Sequence, residues 1–200
     1  MSAPPENRRM TADEYLAFER ASDTKHEFFN GEIIDFAGAS VNHTRIIRNM
    51  VTLLHTHGRS QGCEVFTADL RVRVGRARAY TYPDIVVACR ELRFADDQED
   101  TLVNPTILIE VLSPSTEMTD RGRKFTQYTT LSSLQEYILI SQARPQIEQF
   151  ARQADGSWRY TKITTLDEHL TLPSANCTFN LTDIYEDVQF NPDQLDEDEN

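Results

Sequence analysis

Nothing in the 200-residue chain approaches the run of about eighteen or more apolar residues that spans a membrane. Met1 to Met10 is polar and lacks the apolar centre of a secretory signal. Cysteine is scarce. Cys63, Cys89 and Cys177 are far apart, odd in number and form no CxxC pair, which predicts free thiols in a reducing cytoplasm. No HExxH pair, glycine-rich phosphate loop or GxSxG elbow occurs. His55 and His57 are two apart on a helical stretch, face different sides and make no zinc pair. Positive charge is also short: 20 Lys and Arg against 32 Asp and Glu leave −12, with a pI near 4.8. That argues against generic tight binding to nucleic acid, which phosphate neutralisation drives.

The acidity is unevenly spread. Asp193, Asp196, Glu197, Asp198 and Glu199 crowd the C-terminus, and Asp96, Asp97, Glu99 and Asp100 form a second cluster. Both read as solvated tail or loop. Basic residues gather at Arg71, Arg73, Arg76 and Arg78, and again at Arg121, Arg123 and Lys124. A hydrophobic share of 39% and a charged share of 26% suit a globular protein, and the length suits one domain with a substantial core. The expected organisation is a disordered N-terminus over 1–10, a domain over 11–190 and an acidic disordered tail over 191–200.

Thr11-Ala12-Asp13-Glu14 has the capping-box pattern and predicts a helix to about Ala21. Glu27 to Phe36 predicts a hairpin about Asn30-Gly31. Val41 to His57 carries Ile46, Ile47, Met50, Leu53 and Leu54 at helical spacing, with Gly58 as the stop. Glu64 to Val74 alternates and predicts one half-buried strand. A turn over Arg76 to Ala79 leads to a second strand, Tyr80 to Ala88. Arg90 to Asn104 is a polar connection with room for a helical turn. Thr106 to Ser113 is a third strand. Thr119 to Leu131 is a helix capped by Thr119, with Phe125, Tyr128 and Leu131 inward. Glu136 to Ser141 is a fourth strand, Gln146 to Gln153 and Trp158 to Ile163 a closing hairpin, and Asp183 to Val188 a last short element. The order predicts a single α/β (α+β) domain with a mixed sheet.

Two of these strands carry an acid. Tyr82-Pro83-Asp84 leads into Ile85-Val86-Val87-Ala88, and Glu110 interrupts the run Ile107 to Leu112. A carboxylate in a buried, β-branched run is costly unless it is paired or holds a metal. The pair either converges on one divalent cation or consists of two strand-end acids held by solvent or an arginine.

Pro83-Asp84 followed by Glu110-Val111 on the next strand resembles the PD-(D/E)xK nuclease superfamily. His26-Glu27-Phe28-Phe29-Asn30-Gly31-Glu32, Tyr82-Pro83-Asp84, Ile109 to Thr116, and Asp120 to Tyr128 together resemble its bacterial Uma2 branch, also called DUF820. The likeness runs from about Thr11 to about Tyr160. It implies an αβββαβ restriction-endonuclease-like core with an added N-terminal helix and hairpin. It also implies an Mg²⁺- or Mn²⁺-dependent endonuclease hydrolysing DNA, with a homodimer by analogy.

The resemblance implies that Asp84 and Glu110 bind the metal, with the backbone carbonyl of Val111 as a third hard oxygen. The motif departs from its pattern at Leu112, where a lysine is expected. Lys124, fourteen residues after Glu110, matches the lysine position of the Uma2 pattern and would orient water or stabilise the developing phosphorane. The bland alternative is a surface lysine. Glu27 either completes the metal site or makes a hairpin salt bridge. His43 and Asp69 are lesser candidates. His43 is alternatively structural at a helix start, and Asp69 alternatively pairs with an arginine. Arg121, Arg123 and Ser113 are candidates to bind substrate, and turn chemistry alone would also account for Ser113. Leu112 and the acidity leave two other readings open: an inactive nuclease-fold binding or regulatory module, and a hydrolase of another phosphoester.

Overall fold

The computed structural model describes residues 9–35, 38–75 and 78–191. The expectations for 1–8, for 192–200, for the end of the hairpin at Phe36 and for part of the turn at 76–77 lie outside them. Met10 N donates to Gly31 O at 2.9 Å, so the chain is tied down there. Among the described residues no helix is long and apolar enough to cross a membrane.

The first helix, α1 (Ala12–Arg20), starts as its local chemistry dictates. Thr11 Oγ1 accepts from Glu14 N, and the Glu14 carboxylate accepts from Thr11 N, a complete capping box. The first hairpin joins β1 (His26–Phe29) to β2 (Glu32–Asp35) through Asn30 at φ 50° and Gly31 at φ 99°. Two positive φ values match the right-handed twist of the flanking strands. The long helix α2 (Val41–Gly58) is capped by Ser40, whose hydroxyl accepts from His43 N.

The structure corrects the next two predicted strands. Glu64 to Val74 is two strands, β3 (Glu64–Thr67) and β4 (Arg71–Val74), with a turn closed by Leu70 N donating to Thr67 O. Tyr80 to Ala88 is also two, β5 (Ala79–Thr81) and β6 (Ile85–Ala88), parted by Tyr82-Pro83-Asp84. In both cases the chain crosses from one sheet to another, the first while keeping its alternation and the second while staying buried throughout. Thr101–Leu102 forms β7 inside the predicted polar connection, and no helical turn forms there. Asp96 and Asp100 of that connection are not simply solvated, since both bind Arg20, and Asp100 also binds Arg71.

The strand β8 (Ile107–Leu112) and β9 (Glu136–Ser141) run parallel, linked by a helical crossover. That crossover is a π-helical stretch over Thr119–Lys124 running into α3 (Phe125–Tyr128). It ends three residues before the predicted Leu131, and Thr119 does not cap it. The predicted hairpin is β10 (Ile147–Arg152) with β11 (Trp158–Ile163). A further hairpin, β12 (His169–Leu172) with β13 (Cys177–Asn180), was not foreseen, and the last element, α4 (Leu181–Ile184), starts before Asp183.

A six-stranded sheet has the order β11-β10-β9-β8-β6-β3, and a five-stranded sheet the order β2-β1-β5-β4-β7. Within the first, α2, β3, β6, β8, the crossover and β9 form the expected αβββαβ core, with β4 and β5 as an excursion into the second sheet. Period-2 alternation sorts the core side chains. Ile85, Val87, Ile107, Ile109 and Val111 pack on Ile46, Met50 and Leu54 of α2. Val86, Leu108 and Leu112 pack on Phe29, Val72 and Val74 of the five-stranded sheet. Tyr15 of α1 covers the outer face of that sheet against Phe28 and Tyr80. Glu110 shares the inner face with Leu108 and Leu112, and is buried between the sheets.

Cys63 and Cys89 form a disulfide, which corrects the expectation of three free thiols. Cys63 precedes β3 and Cys89 follows β6, and the Glu64↔Ala88 pairing brings them opposite one another. Cys177 remains free and buried.

Candidate active site

Each candidate acid arrives on a different element. Glu27 lies on β1, on the same face as the buried Phe29 and turned toward the six-stranded sheet. Asp84 sits where the chain passes from β5 to β6. Glu110 belongs to β8. Asp120 and Lys124 lie four residues apart in the π-helical stretch, where both side chains are buried. Wide turns of this kind occur often at functional sites, and here one sets two charged groups inward.

The Lys124 ammonium is the hub. Its Nζ lies 3.1 Å from Glu27 Oε1, from Glu110 Oε1 and from Asp120 Oδ1. Glu110 Oε1 also accepts from Tyr128 OH at 3.0 Å, and that phenol lies 3.0 Å from Thr81 Oγ1. Glu27 Oε1 accepts from Tyr82 N at 3.1 Å. Asp84 Oδ2 accepts from Val111 N at 2.7 Å and from His43 Nε2 at 3.1 Å. With Nε2–H held by the carboxylate, a neutral His43 presents a lone pair at Nδ1, which is buried and has no hydrogen-bond partner among the described residues. The long 3.4 Å bond from Asp84 N leaves Glu110 Oε2 weakly engaged.

Glu27, His43, Asp84, Glu110, Asp120 and Lys124 line a cavity of about 270 Å³, joined by Ser113, Ser115, Thr116 and Thr119. Four buried acids face one lysine, and the imbalance shows in the titration of Glu110 and Lys124. Burial, reinforced by Asp120, Asp84 and Glu27, drives the Glu110 carboxyl well above its ordinary range although Lys124 opposes this. Burial would lower Lys124, but Glu110, Glu27 and Asp120 outweigh it and hold the ammonium above its usual value. Burial likewise raises the Tyr128 phenol, with Glu110 adding to the effect.

Among the described residues no group of three or more His, Cys, Asp and Glu side chains is spaced to hold a metal ion. Lys124 explains this, because three carboxylates converge on its ammonium rather than on a gap. The excess of buried hard-oxygen charge nevertheless fits a divalent cation, with Asp84 and Glu110 Oε2 as the available donors beside Val111.

The structure brings together Asp84, Glu110, Lys124, Glu27, His43, Val111 and Ser113. It does not bring Asp69, Arg121 or Arg123. Asp69 lies in the exposed turn between β3 and β4 and pairs with Lys25. Arg121 binds Glu117 and Glu148. Arg123 stacks 4.3 Å over the Phe29 ring and binds Glu32. Asp120 and Tyr128 were missed. Asp120-x-x-x-Lys124 at helical spacing was the available signal for the first.

This architecture is that of a restriction-endonuclease-like α+β domain. It superposes on the crystal structure of a "putative nuclease belonging to DUF820" from Anabaena variabilis with a TM-score of 0.72 and 20% identity, covering 88% of this chain and 97% of that one. The Uma2 family model, described as "Putative restriction endonuclease", matches residues 12–182, and the chain belongs to the Uma2 family. Two uncharacterized proteins of Synechocystis are similar. The protein sll1609 is 38% identical over 77% of this chain and 87% of its own, and slr1290 is 34% identical over 91% and 94%.

Proposed function

We propose that the chain is a divalent-metal-dependent endonuclease that hydrolyses DNA phosphodiester bonds at the Asp84–Glu110–Lys124 cavity. The observation that carries this reading is the convergence of buried Glu27, Glu110 and Asp120 on Lys124, with Asp84 alongside, at the junction of the two sheets. A buried excess of carboxylate is costly unless a cation neutralises it. Asp84, Glu110 and the Val111 carbonyl would hold Mg²⁺ or Mn²⁺. The bound cation would supply Lewis acidity toward a phosphate oxygen and a water of lowered pKa.

The chain's own residues do the remainder. His43 and the Val111 amide fix Asp84 in one orientation. His43 lines the cavity, and its unpartnered Nδ1 would accept a hydrogen bond from a water admitted beside Asp84. The Lys124 ammonium stands where charge develops on the phosphorane and stabilises it. Tyr128 and Glu27 hold Glu110 and Lys124 in register. Cutting both strands of a duplex takes two such sites, which a homodimer would provide.

Supercoiled and single-stranded DNA, incubated at low salt with Mg²⁺ or Mn²⁺, test the reading. Cleavage by wild type that disappears in Asp84→Asn and Lys124→Met, with both variants folded by circular dichroism, supports it. An inert wild type, or full activity in Asp84→Asn, rejects it in favour of a binding module or another phosphoester.

A further inference from the structure

The acids of the cavity attract a cation but repel a polyanion, so a nucleic-acid strand needs positive charge close by. The arginines that the sequence suggests for this task are engaged elsewhere, Arg121 with Glu117 and Glu148, and Arg123 with Glu32. Arg48 is likewise paired with Asp187. A groove of about 950 Å³ opens from the cavity, and Gly38, Ser113 and Ser115 line both. Two arginines flank it. Arg45 projects from the beginning of α2, and Arg144 comes from the turn between β9 and β10. Among the described residues Arg45 has no ion-pair partner, and Arg144, which has contacts of its own, lines the opposite wall. Gln142, Asn42 and Ser141 add amide and hydroxyl groups to the walls.

The balance of charge therefore shifts along one continuous depression, from an excess of carboxylates in the cavity to two guanidiniums in the groove, where the one acid, Glu117, is already paired with Arg121. A phosphodiester backbone carries one negative charge per nucleotide, so a strand reacting in the cavity must place its next phosphates nearby. Arginine suits that role because its planar fork can bind two phosphate oxygens at once.

We propose that the groove between α2 and the β9–β10 turn holds the substrate strand's backbone beside the scissile phosphodiester, with Arg45 and Arg144 as its phosphate contacts. The assignment rests on the nuclease reading above. It also accounts for how an acidic chain binds a polyanion: the contact is confined to one strip and needs no basic surface overall.

The test is fluorescence anisotropy of short labelled oligonucleotides, single-stranded and duplex, titrated at several salt concentrations with Mg²⁺ present. Cleavage of the same oligonucleotides is followed in parallel. Wild type is compared with Arg45→Ala, Arg144→Ala, Arg45→Lys and the distant control Arg159→Ala, which removes an equal charge from the exposed strand β11. Each groove alanine variant should bind more weakly and lose about 0.9 from the slope of log K against log salt on duplex, or about 0.7 on a single strand. Arg45→Lys should keep most of the slope, and Arg159→Ala all of it. The oligonucleotide that shows the loss identifies the strand form that the groove takes. Unchanged slopes in both groove variants, or losses no larger than in Arg159→Ala, would overturn the groove while wild-type binding and cleavage leave the nuclease reading standing. A wild type that neither binds nor cuts either oligonucleotide would overturn both.

Discussion

Nζ of Lys124 lies 3.1 Å from Oε1 of Glu110, although the two residues are fourteen apart and belong to a helical crossover and a strand. On the nuclease reading proposed above, the ammonium that the superfamily motif places two residues after the glutamate would be supplied by the element that follows. Leu112, at the motif position, is buried among Leu108, Val86 and Tyr128 and belongs to the core. On that reading the exchange is a swap of positions rather than the loss of a charge.

Removing that ammonium should expose how much the acids depend on it. Lys124→Ala leaves Glu27, Glu110 and Asp120 buried without a counter-charge and should cost about 3 to 5 kcal/mol of stability. Urea denaturation in chelator measures the loss. Added Mn²⁺ should restore part of it, and no effect of the mutation would mean that the three carboxylates do not depend on Lys124.

Divalent-cation binding should strengthen as pH rises. The Glu110 carboxyl is raised in the fold, chiefly by burial, so its contribution to stability is full below its ordinary value of 4.5 and is lost as pH climbs through the raised value. Over that same window a cation no longer has to displace the proton, and its affinity grows. Lys124 is also raised, above its ordinary 10.5, and stays charged throughout. The Mn²⁺-induced shift in melting temperature, measured from acid to neutral pH, should increase. A flat profile would remove Glu110 from the ligand set.

Tyr128→Phe deletes the hydroxyl shared by Glu110 and Thr81 while preserving the ring. A hydrogen bond to a charged acceptor is worth about 1.5 to 3 kcal/mol, so a destabilisation in that range is expected. Because Glu110 loses a donor, its affinity for the proton should increase, and the Mn²⁺ response should shift to higher pH than in wild type.

Thiol counting tests the Cys63–Cys89 bridge. The denatured, unreduced protein should react with one equivalent of thiol reagent, at Cys177, and with three after reduction. Closing a loop of 26 residues predicts that reduction costs about 3.5 kcal/mol. Three reactive thiols without reduction would return the chain to the free-thiol expectation.

What could be read from the sequence was local. The Thr11 capping box, the Asn30-Gly31 turn and the apolar stripe of α2 each depend on residues within a few positions of one another. The two strand breaks did not announce themselves, because the alternation of Glu64 to Val74 and the apolar run of Tyr80 to Ala88 both continue as the chain changes sheets. Pro83 was the one clue, since proline donates no ladder hydrogen bond. Asp84, Glu110 and Lys124 stood out through their motif, whereas Asp120 needed the helix to turn it inward. Arg121 and Arg123 were misleading because their partners, Glu148 and Glu32, come from remote strands. The bridge between Cys63 and Cys89 required the β3–β6 register, which spacing alone does not reveal.

Glu27 hangs from one sheet, Glu110 from the other, and a single ammonium rivets them. A seam closed in this way has no working half. A fragment retaining either sheet alone would carry an orphaned acid, and any agent that pries the sheets apart would disable the cavity before either sheet melts.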